Sequence, residues 1–314
     1  MTEALRTAVL IPCYNEEAAV VQVVADFRKA LPDATIYVYD NNSRDRTVEV
    51  ARAAGAIVRT ETLQGKGNVV RRMFADIEAD IYVLVDGDAT YDAASAPMMV
   101  KRLVTESLDM VNGARVTQIE KAYRPGHRFG NWLLTSMVAW TFGNRFTDML
   151  SGYRVMSRRY VKSFPALAAG FETETELTVH ALELRMPTAE VATPYKDRPE
   201  GSVSKLSTFR DGFRILWTIV VLIKEERPMQ FFSLMAALLA FVSTLLIVPI
   251  VIEFAETGLV PRLPTAVLSM GLMLIGFLSL SCGLILDTVT RGRREMKRMR
   301  YLNIPALHDG VGGK

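Results

Sequence analysis

Asp86-Gly87-Asp88 follows directly on the apolar run Ile81-Tyr82-Val83-Leu84-Val85. Two carboxylates one residue apart at the end of a buried strand can share a hard divalent cation. Such a cation takes oxygen ligands and fills its remaining positions with water and phosphate. In an open α/β sheet, ligands bind at the carboxyl ends of the strands. Asp86 and Asp88 are therefore candidate ligands for Mg2+ or Mn2+, held against a nucleotide diphosphate, with Gly87 leaving room between them. The same tripeptide also fits a solvated turn, because short motifs recur by chance. Other polar groups end the earlier apolar runs. Pro12-Cys13-Tyr14-Asn15-Glu16 closes the first and Asp40-Asn41-Asn42-Ser43 the second, with Gly65-Lys66-Gly67 between them and the acidic pair.

The elements that must carry these groups can be read from periodicity. Strands are expected at Ala8–Pro12, Ile36–Asp40, Ala56–Arg59, Ile81–Val85 and Asp109–Arg115. Helices are expected to open at Glu16 or Glu17, at Arg44, at Asn68 and at Pro97. This repeated βα order predicts an α/β domain: a mostly parallel sheet with helices on both faces. Beyond Arg115 the pattern changes. Phe129–Phe142 reads as an apolar helix, Ser151-Gly152-Tyr153-Arg154 as a turn into a short strand, Glu172–Leu184 as a helix with three acids at its start, and Glu190–Pro194 as an edge strand. Lys196–Lys205 is a polar loop rich in Gly, Ser and Pro.

Among 314 residues the net charge is only +3, so bulk charge gives no argument for nucleic acid, and none is expected as a partner. The two cysteines, Cys13 and Cys282, lie far apart in different kinds of segment, which suits a reducing compartment. Hydropathy divides the chain. Met229–Ile252 and Pro264–Leu286 are apolar and uncharged, each long enough to cross a hydrocarbon core of roughly 30 Å. Before them, Phe209, Phe213, Leu216, Trp217, Val220 and Ile223 recur at helical spacing beside basic residues, the pattern of a helix lying in a membrane interface. An ordinary amphipathic packing helix has the same pattern. The expected organisation is a catalytic domain over 1–205, an interfacial helix over 206–228, a two-helix hairpin over 229–287 and a basic tail over 288–314. Lys224, Arg227 and a tail carrying Arg291, Arg293, Arg294, Lys297, Arg298 and Arg300 flank the hairpin, whereas its loop has only Arg262. That bias puts both ends and the catalytic domain on the cytoplasmic side of the cell membrane. The tail either marks topology alone or is also drawn to anionic headgroups. Self-association through the hairpin stays open.

The strand-end motifs, in this order, resemble the inverting nucleotide-sugar glycosyltransferases of the GT-A fold over Thr7–Leu206. The branch most similar is the polyprenyl-phosphate glycosyltransferases, typified by dolichol-phosphate mannose synthase. Ser151-Gly152-Tyr153-Arg154 looks like that branch's S-G-F/Y stretch. Arg115 and Arg128 fall where its acceptor-phosphate arginines would, and Arg198, Gly201 and Ser204-Lys205-Leu206 resemble its nucleotide-covering loop. The resemblance implies a nucleotide site of Pro12, Tyr14, Asn15, Glu16, Asp40, Asn42, Lys66, Asp86, Gly87, Arg198 and Lys205. It implies an acceptor-phosphate site of Arg115, Arg128 and Ser151. Thr90 stands where the family often has a metal-binding Gln. The second-strand motif departs from D-D-G-S, which tilts the expectation from GDP-mannose toward a UDP-sugar.

Chemically, a cation on Asp86 and Asp88 would neutralise the diphosphate leaving group, with Lys66, Arg71, Arg198 and Lys205 covering the phosphates and Asp40 hydrogen-bonding base or ribose. A lipid phosphate acceptor is already anionic and needs positioning more than deprotonation. Arg115 and Arg128 suit it, because guanidinium matches phosphate geometry. The catalytic set is then Asp88, Arg115, Arg128 and Glu174. For a hydroxyl acceptor Glu174 or a neighbour would be the base; otherwise Glu172, Glu174 and Glu176 are acids favoured by a helix dipole. The expected function is transfer of a sugar to polyprenyl phosphate. Alternatives are transfer to a glycolipid or glycan hydroxyl, a nucleotidyltransferase, and a non-catalytic membrane recruitment module.

Overall fold

The computed structural model describes residues 5–116, 146–166, 170, 172–196, 217, 220, 221 and 223–307. The expected helix at Phe129–Phe142, most of the amphipathic stretch from Leu206, and Arg128, Arg198 and Lys205 lie outside them. The chain divides into two units, Met1–Leu216 with Met296–Lys314, and Trp217–Glu295.

In the first unit the apolar, β-branched runs form β1 (Thr7–Cys13), β2 (Thr35–Asp40), β3 (Ile57–Thr60), β4 (Ile81–Leu84) and β5 (Met110–Val116). The helices between them are α1 (Val20–Ala30), α2 (Thr47–Ala53), α3 (Lys66–Asp76) and α4 (Ala96–Thr105). Then come β6 (Arg154–Ser157), α5 (Arg158–Ser163), α6 (Thr173–Glu183) and β7 (Thr188–Pro194). Helix α1 packs on α2 and α4, while α3 packs on α5 and α6, so the two faces of the sheet carry separate helix layers. The core between them includes Val9, Ile11, Val83 and Phe27, with the Phe27 ring edge-on to Tyr153 at 6.0 Å.

The strand order is β3-β2-β1-β4-β6-β5-β7. Strand β1 pairs in parallel with both β2 and β4, so the order reverses there and a crevice opens at their carboxyl ends. Strand β6 runs antiparallel between β4 and β5, pairing Leu84 and Asn112 with Arg154. Its antiparallel course has a consequence for the site. The start of β6, and the Ser151-Gly152-Tyr153 turn before it, fall beside the ends of β4 and β5. Helices α1 and α2 begin later than their sequence signals. Glu16 and Asp45 are spent on the turns ahead of them, the Glu16 carbonyl accepting from Ala19 and Val20 and the Asp45 carboxylate from the Thr47 amide.

In the second unit α7 (Pro228–Thr257) and α8 (Leu263–Leu302) are both long and apolar enough to cross a membrane. They are not core helices of a water-soluble fold. Leu234 is 74% exposed and Leu274 60%, with many other large apolar side chains alongside. The two helices meet through small residues. Ser243 and Ser269 each donate to the other's carbonyl, at 2.7 and 2.8 Å. A Cβ on Gly283 would lie 2.9 Å from the Phe232 Cβ. Small contacts of this kind let backbones approach where lipid removes any hydrophobic drive between helices.

Helix α8 runs past the expected start of the basic tail, and its last turns belong to the first unit. There Lys297 pairs with Glu183 at 2.7 Å and the Tyr301 hydroxyl donates to Asp109 at 2.7 Å. Arg159 also binds Asp109 and stacks 4.8 Å over the Tyr301 ring. Asp109 is fully buried, so this is a desolvated contact and not a surface ion pair. Arg291 pairs with Asp287, and Arg293 donates to the Glu225 carbonyl. Arg291, Arg293 and Lys297 of the tail thus have partners within the chain.

His180 on α6 is buried between the rings of Tyr160 and Phe164, its Nε2 3.1 Å from Ser163 Oγ. Burial, with Lys297 adding to it, pushes its pKa down to about 3. The unfolded chain takes up this proton near pH 6.5, whereas the folded one refuses it. Stability is therefore complete above pH 6.5 and falls by about 1.4 kcal/mol per pH unit below it, down to the folded pKa. Thermal unfolding of the full chain in detergent should show a drop in midpoint from pH 7 to pH 5. His180→Phe should make that drop smaller, and an undiminished drop would remove His180 as its source.

Candidate active site

The candidate nucleotide residues of the first two motifs share one place, the adjacent ends of β1 and β2, and their loops are stitched together. The Asn15 amide donates to Ser43 Oγ at 2.8 Å, and Asn15 Oδ1 accepts from the Arg44 amide at 2.8 Å. The Glu16 amide donates to Thr47 Oγ1 at 2.8 Å. Asn15 and Asn42 hold positive φ angles of 53° and 64°, which asparagine tolerates better than most residues. The Asp40 carboxylate accepts from the Ser43 amide at 3.2 Å. Pro12 lies beside Tyr39 in the sheet register, with Tyr14 next to β1's end.

Asn41 was given no role by the sequence, yet it organises the next loop. Its Nδ2 donates to the carbonyls of Glu61 and Leu63, and its Oδ1 accepts from the Gly65 amide at 2.7 Å. This fixes the loop that delivers Lys66 as the first residue of α3. Gly65 has φ 130°, outside the range of ordinary side chains. The Lys66 ammonium bridges the carboxylates of Asp86 and Glu174. Burial pushes the Lys66 pKa down, but those two carboxylates more than reverse this and hold it above the usual lysine value. Of the three acids at the start of α6, Glu174 is the one the fold brings to Asp86. It is buried, and among the described residues its Oε2 has no hydrogen-bond partner.

Small residues make this approach possible. A Cβ on Gly152 would lie 2.5 to 2.9 Å from the Asp86 carboxylate, and one on Gly87 would lie 2.5 Å from Cys13 Sγ. Asp88 is buried, and Thr90 Oγ1 donates to its Oδ1 at 2.6 Å. Thr90 is thus an orienting group for Asp88. Arg71 is exposed on α3.

Arg115 is the penultimate residue of β5, one before the strand's end, and it does not stand alone. Its Nε and Nη2 grip Asp148 at 2.7 and 2.8 Å, and its guanidinium lies 5.6 Å over the Tyr195 ring. Asp148 is buried, yet Arg115 holds its carboxyl below the usual range. Ser151 is fully buried, with its hydroxyl donating to the Gly113 carbonyl at 2.5 Å. In this conformation that hydroxyl is committed to the backbone. Arg154 is also fully buried. It donates to the carbonyls of Ser151, Met149 and Glu174 and to Thr178 Oγ1, which ties the Gly152 turn to Glu174. The signal that could have found it is its place beside the S-G-Y stretch.

Residues 8–164 match the model of the family described as glycosyl transferase family 2. A glycosyltransferase of Haloferax volcanii, AglJ, is 33% identical over 304 residues, covering 94% of this chain and 97% of its own. The chain belongs to glycosyl transferase family 2. Another family relative, a dolichyl-phosphate hexose transferase of the same organism, is 29% identical over 70% of this chain and 95% of its own. The fold is that of the GT-A enzymes. Glucosyl-3-phosphoglycerate synthase from Mycobacterium tuberculosis, solved with Mn2+, UDP and glucosyl-3-phosphoglycerate, superposes with a TM-score of 0.59 at 22% identity, covering 70% of this chain and 80% of that one.

For a glycosyltransferase of this family a divalent cation is a general feature, and the residues present fit one. The donor set is carboxylate oxygen, suited to Mg2+ or Mn2+. Among the described residues, Glu174 Oε2 is buried without a hydrogen-bond partner. Among the described residues no group of three or more His, Cys, Asp or Glu converges on a point. Phosphate and water would therefore complete the shell.

Two substitutions check this geometry. Gly152→Ala should drive the Asp86 carboxylate from its place, lowering glycosyl transfer at least tenfold while the unfolding midpoint moves little. Arg154→Met should cost about 3 kcal/mol or more, because several buried acceptors lose their donor. It should appear as a large fall in midpoint or in folded yield.

Proposed function

We propose that this glycosyltransferase moves a sugar from a nucleotide donor, a UDP-sugar in preference to GDP-mannose, to a polyprenyl phosphate at the cytoplasmic face of the cell membrane. The observation that carries the reading is the pairing of a GT-A catalytic unit with two helices able to cross a membrane on one chain. A water-soluble acceptor gives no reason for that pairing, and a lipid acceptor does. The printed name of the dolichyl-phosphate hexose transferase relative supports the same acceptor class. The basic residues flanking the hairpin support the cytoplasmic side.

In this mechanism Asp40, Asn15 and Asn42 meet the base and ribose, with Pro12, Tyr14 and Glu16 shaping the wall. Asp86 and Asp88 would hold a divalent cation, which would supply neutralising charge to the diphosphate leaving group. Lys66, with Arg198 and Lys205 from the covering loop, adds further positive charge there. The acceptor phosphate needs no general base at neutral pH. Arg115 and Arg128 orient it for in-line attack on the anomeric carbon, which inverts that centre. Because Asp148 grips one edge of Arg115, the guanidinium is held rigid. A held donor loses less entropy on binding phosphate than a free one.

The buried Glu174 keeps a second reading, transfer to a glycan or glycolipid hydroxyl, in contention. One assay separates them. The full chain in nanodiscs is given Mn2+, a panel of UDP- and GDP-sugars and short polyprenyl phosphate, and release of nucleoside diphosphate is followed. Release that needs the lipid phosphate, with one UDP-sugar, is expected. Asp88→Asn should lower it at least a hundredfold, and Arg128→Ala should raise KM for the lipid phosphate. If Glu174→Gln abolishes transfer while Arg128→Ala is silent, the hydroxyl reading replaces this one. Pyrophosphate release from a nucleoside triphosphate would reveal a nucleotidyltransferase. A folded protein that releases nothing from any donor would point to recruitment without catalysis.

A further inference from the structure

An edge strand commonly carries charged side chains turned to solvent, where they discourage pairing with another chain. Glu190 on the edge strand β7 does not fit that use. Among the described residues four donors converge on its carboxylate. Oε1 accepts from Asn112 Nδ2 at 2.9 Å and from the Asp148 amide at 3.2 Å. Oε2 accepts from the Thr147 amide at 2.8 Å and from Thr147 Oγ1 at 2.7 Å. A carboxylate only accepts, at about four lone-pair positions, so this set uses its capacity.

What Glu190 holds is the stretch that carries Asp148. Residues 146–153 form no helix or strand, so no backbone ladder fixes them. Their place is set by side chains from the sheet. Asn112 and Glu190 are partners in the β5–β7 register, and Asn112 Nδ2 also donates to the Asp148 carbonyl at 2.8 Å. The amide and the carbonyl of Asp148 are thus both held, one from each strand. The Asp148 carboxylate then accepts from Arg115 Nε at 2.7 Å and Nη2 at 2.8 Å. The contacts run from Glu190 through the Asp148 backbone to the guanidinium, and each link is a directional hydrogen bond. The same strand leads into Tyr195, whose ring lies under that guanidinium at 5.6 Å.

We infer that Glu190 is a positioning residue for the acceptor side of the site. It fixes Asp148, and through Asp148 the plane in which Arg115 meets an acceptor phosphate. This rests on the reading above that Arg115 receives that phosphate. A guanidinium binds phosphate through paired N–H groups, so a tilt of its plane loses contacts that charge alone does not restore. The donor side is built from other contacts, with Asn15, Ser43 and Asp40 stitched together at the ends of β1 and β2. Loss of Glu190 therefore weakens the acceptor half of the site and spares the donor half.

Glu190→Gln keeps the size of the side chain but turns one acceptor oxygen into an NH2 group that faces donors. The full chain in nanodiscs is assayed with Mn2+, a nucleotide-sugar and short polyprenyl phosphate. Binding of the nucleoside diphosphate that the wild type releases is followed by calorimetry. Glu190→Gln should lower kcat/KM for the lipid phosphate at least tenfold and leave nucleoside diphosphate affinity within twofold. On an Asp148→Asn background, adding Glu190→Gln should change kcat/KM less than twofold, because both act through one guanidinium. Three results overturn the role: an unchanged kcat/KM in a folded variant, an equal loss of nucleotide affinity, or full additivity with Asp148→Asn. If Glu190→Gln does not fold, Thr147→Val decides. Thr147 is exposed, and valine removes its hydroxyl donor while keeping the amide. A fall in kcat/KM of at least threefold is expected there, and no fall overturns the inference. Wild type whose release of nucleoside diphosphate does not depend on lipid phosphate sinks the acceptor reading, and this inference with it. Lipid-dependent release without the effects of these variants sinks only the role of Glu190.

Discussion

Carboxylates gathered at the end of a sheet repel one another, and the catalytic unit is organised around balancing them. The fold meets this with a lysine delivered at a fixed point. Asn41 pins the loop, Gly65 takes a backbone angle other residues avoid, and Lys66 opens α3 with its ammonium on Asp86 and Glu174. Thr90 orients Asp88, and Arg154 anchors the backbone from which Glu174 projects. Each acid thus has its own holder, drawn from a different element.

The antiparallel strand β6 makes this assembly possible. A parallel strand in its place would bring its trailing end, and not the turn before it, to the ends of β4 and β5. Because β6 runs the other way, its leading turn lies against Asp86, and Gly152 is the residue that touches it. The same reversal sets Ser151 under Gly113 and brings Arg154 within reach of α6. One strand direction therefore links the acidic pair, the turn that crowds it and the helix that supplies the third acid.

Much of this was legible in the sequence, and the boundary between what was and was not follows from the range of the interactions. The βα alternation, the acidic pair, the edge position of β7 and the two long apolar segments are local patterns, carried by periodicity and composition. The antiparallel insertion of β6 is not local. Its four residues read the same in either direction, and only pairing with Leu84 and Asn112 decides. Asn41 looked like one more polar residue in a turn, because its partners lie 20 or more residues on. Asp148 sits in a stretch with no periodicity, yet it grips Arg115 across 33 residues. The last turns of α8 read as a charged tail because the buried Asp109 that receives Tyr301 is 192 residues away. The choice among Glu172, Glu174 and Glu176 likewise needed the position of Lys66.

If Arg115 receives the acceptor phosphate, as proposed, its pairing with Asp148 bears on what that anion meets. A lone guanidinium would attract any phosphate by charge alone, and inorganic phosphate would compete with the acceptor. Asp148 offsets that charge at short range while leaving the guanidinium plane fixed. The attraction that remains is directional, carried by hydrogen bonds that demand the right geometry. A lipid phosphate delivered at the membrane surface arrives with its tail oriented and already loses little freedom on binding. A free phosphate must lose all of it for the same contacts. On the proposed lipid-phosphate reading, a neutralised but rigid arginine would favour an acceptor that the membrane has already aligned, and discrimination at this position would come from preorganisation more than from charge.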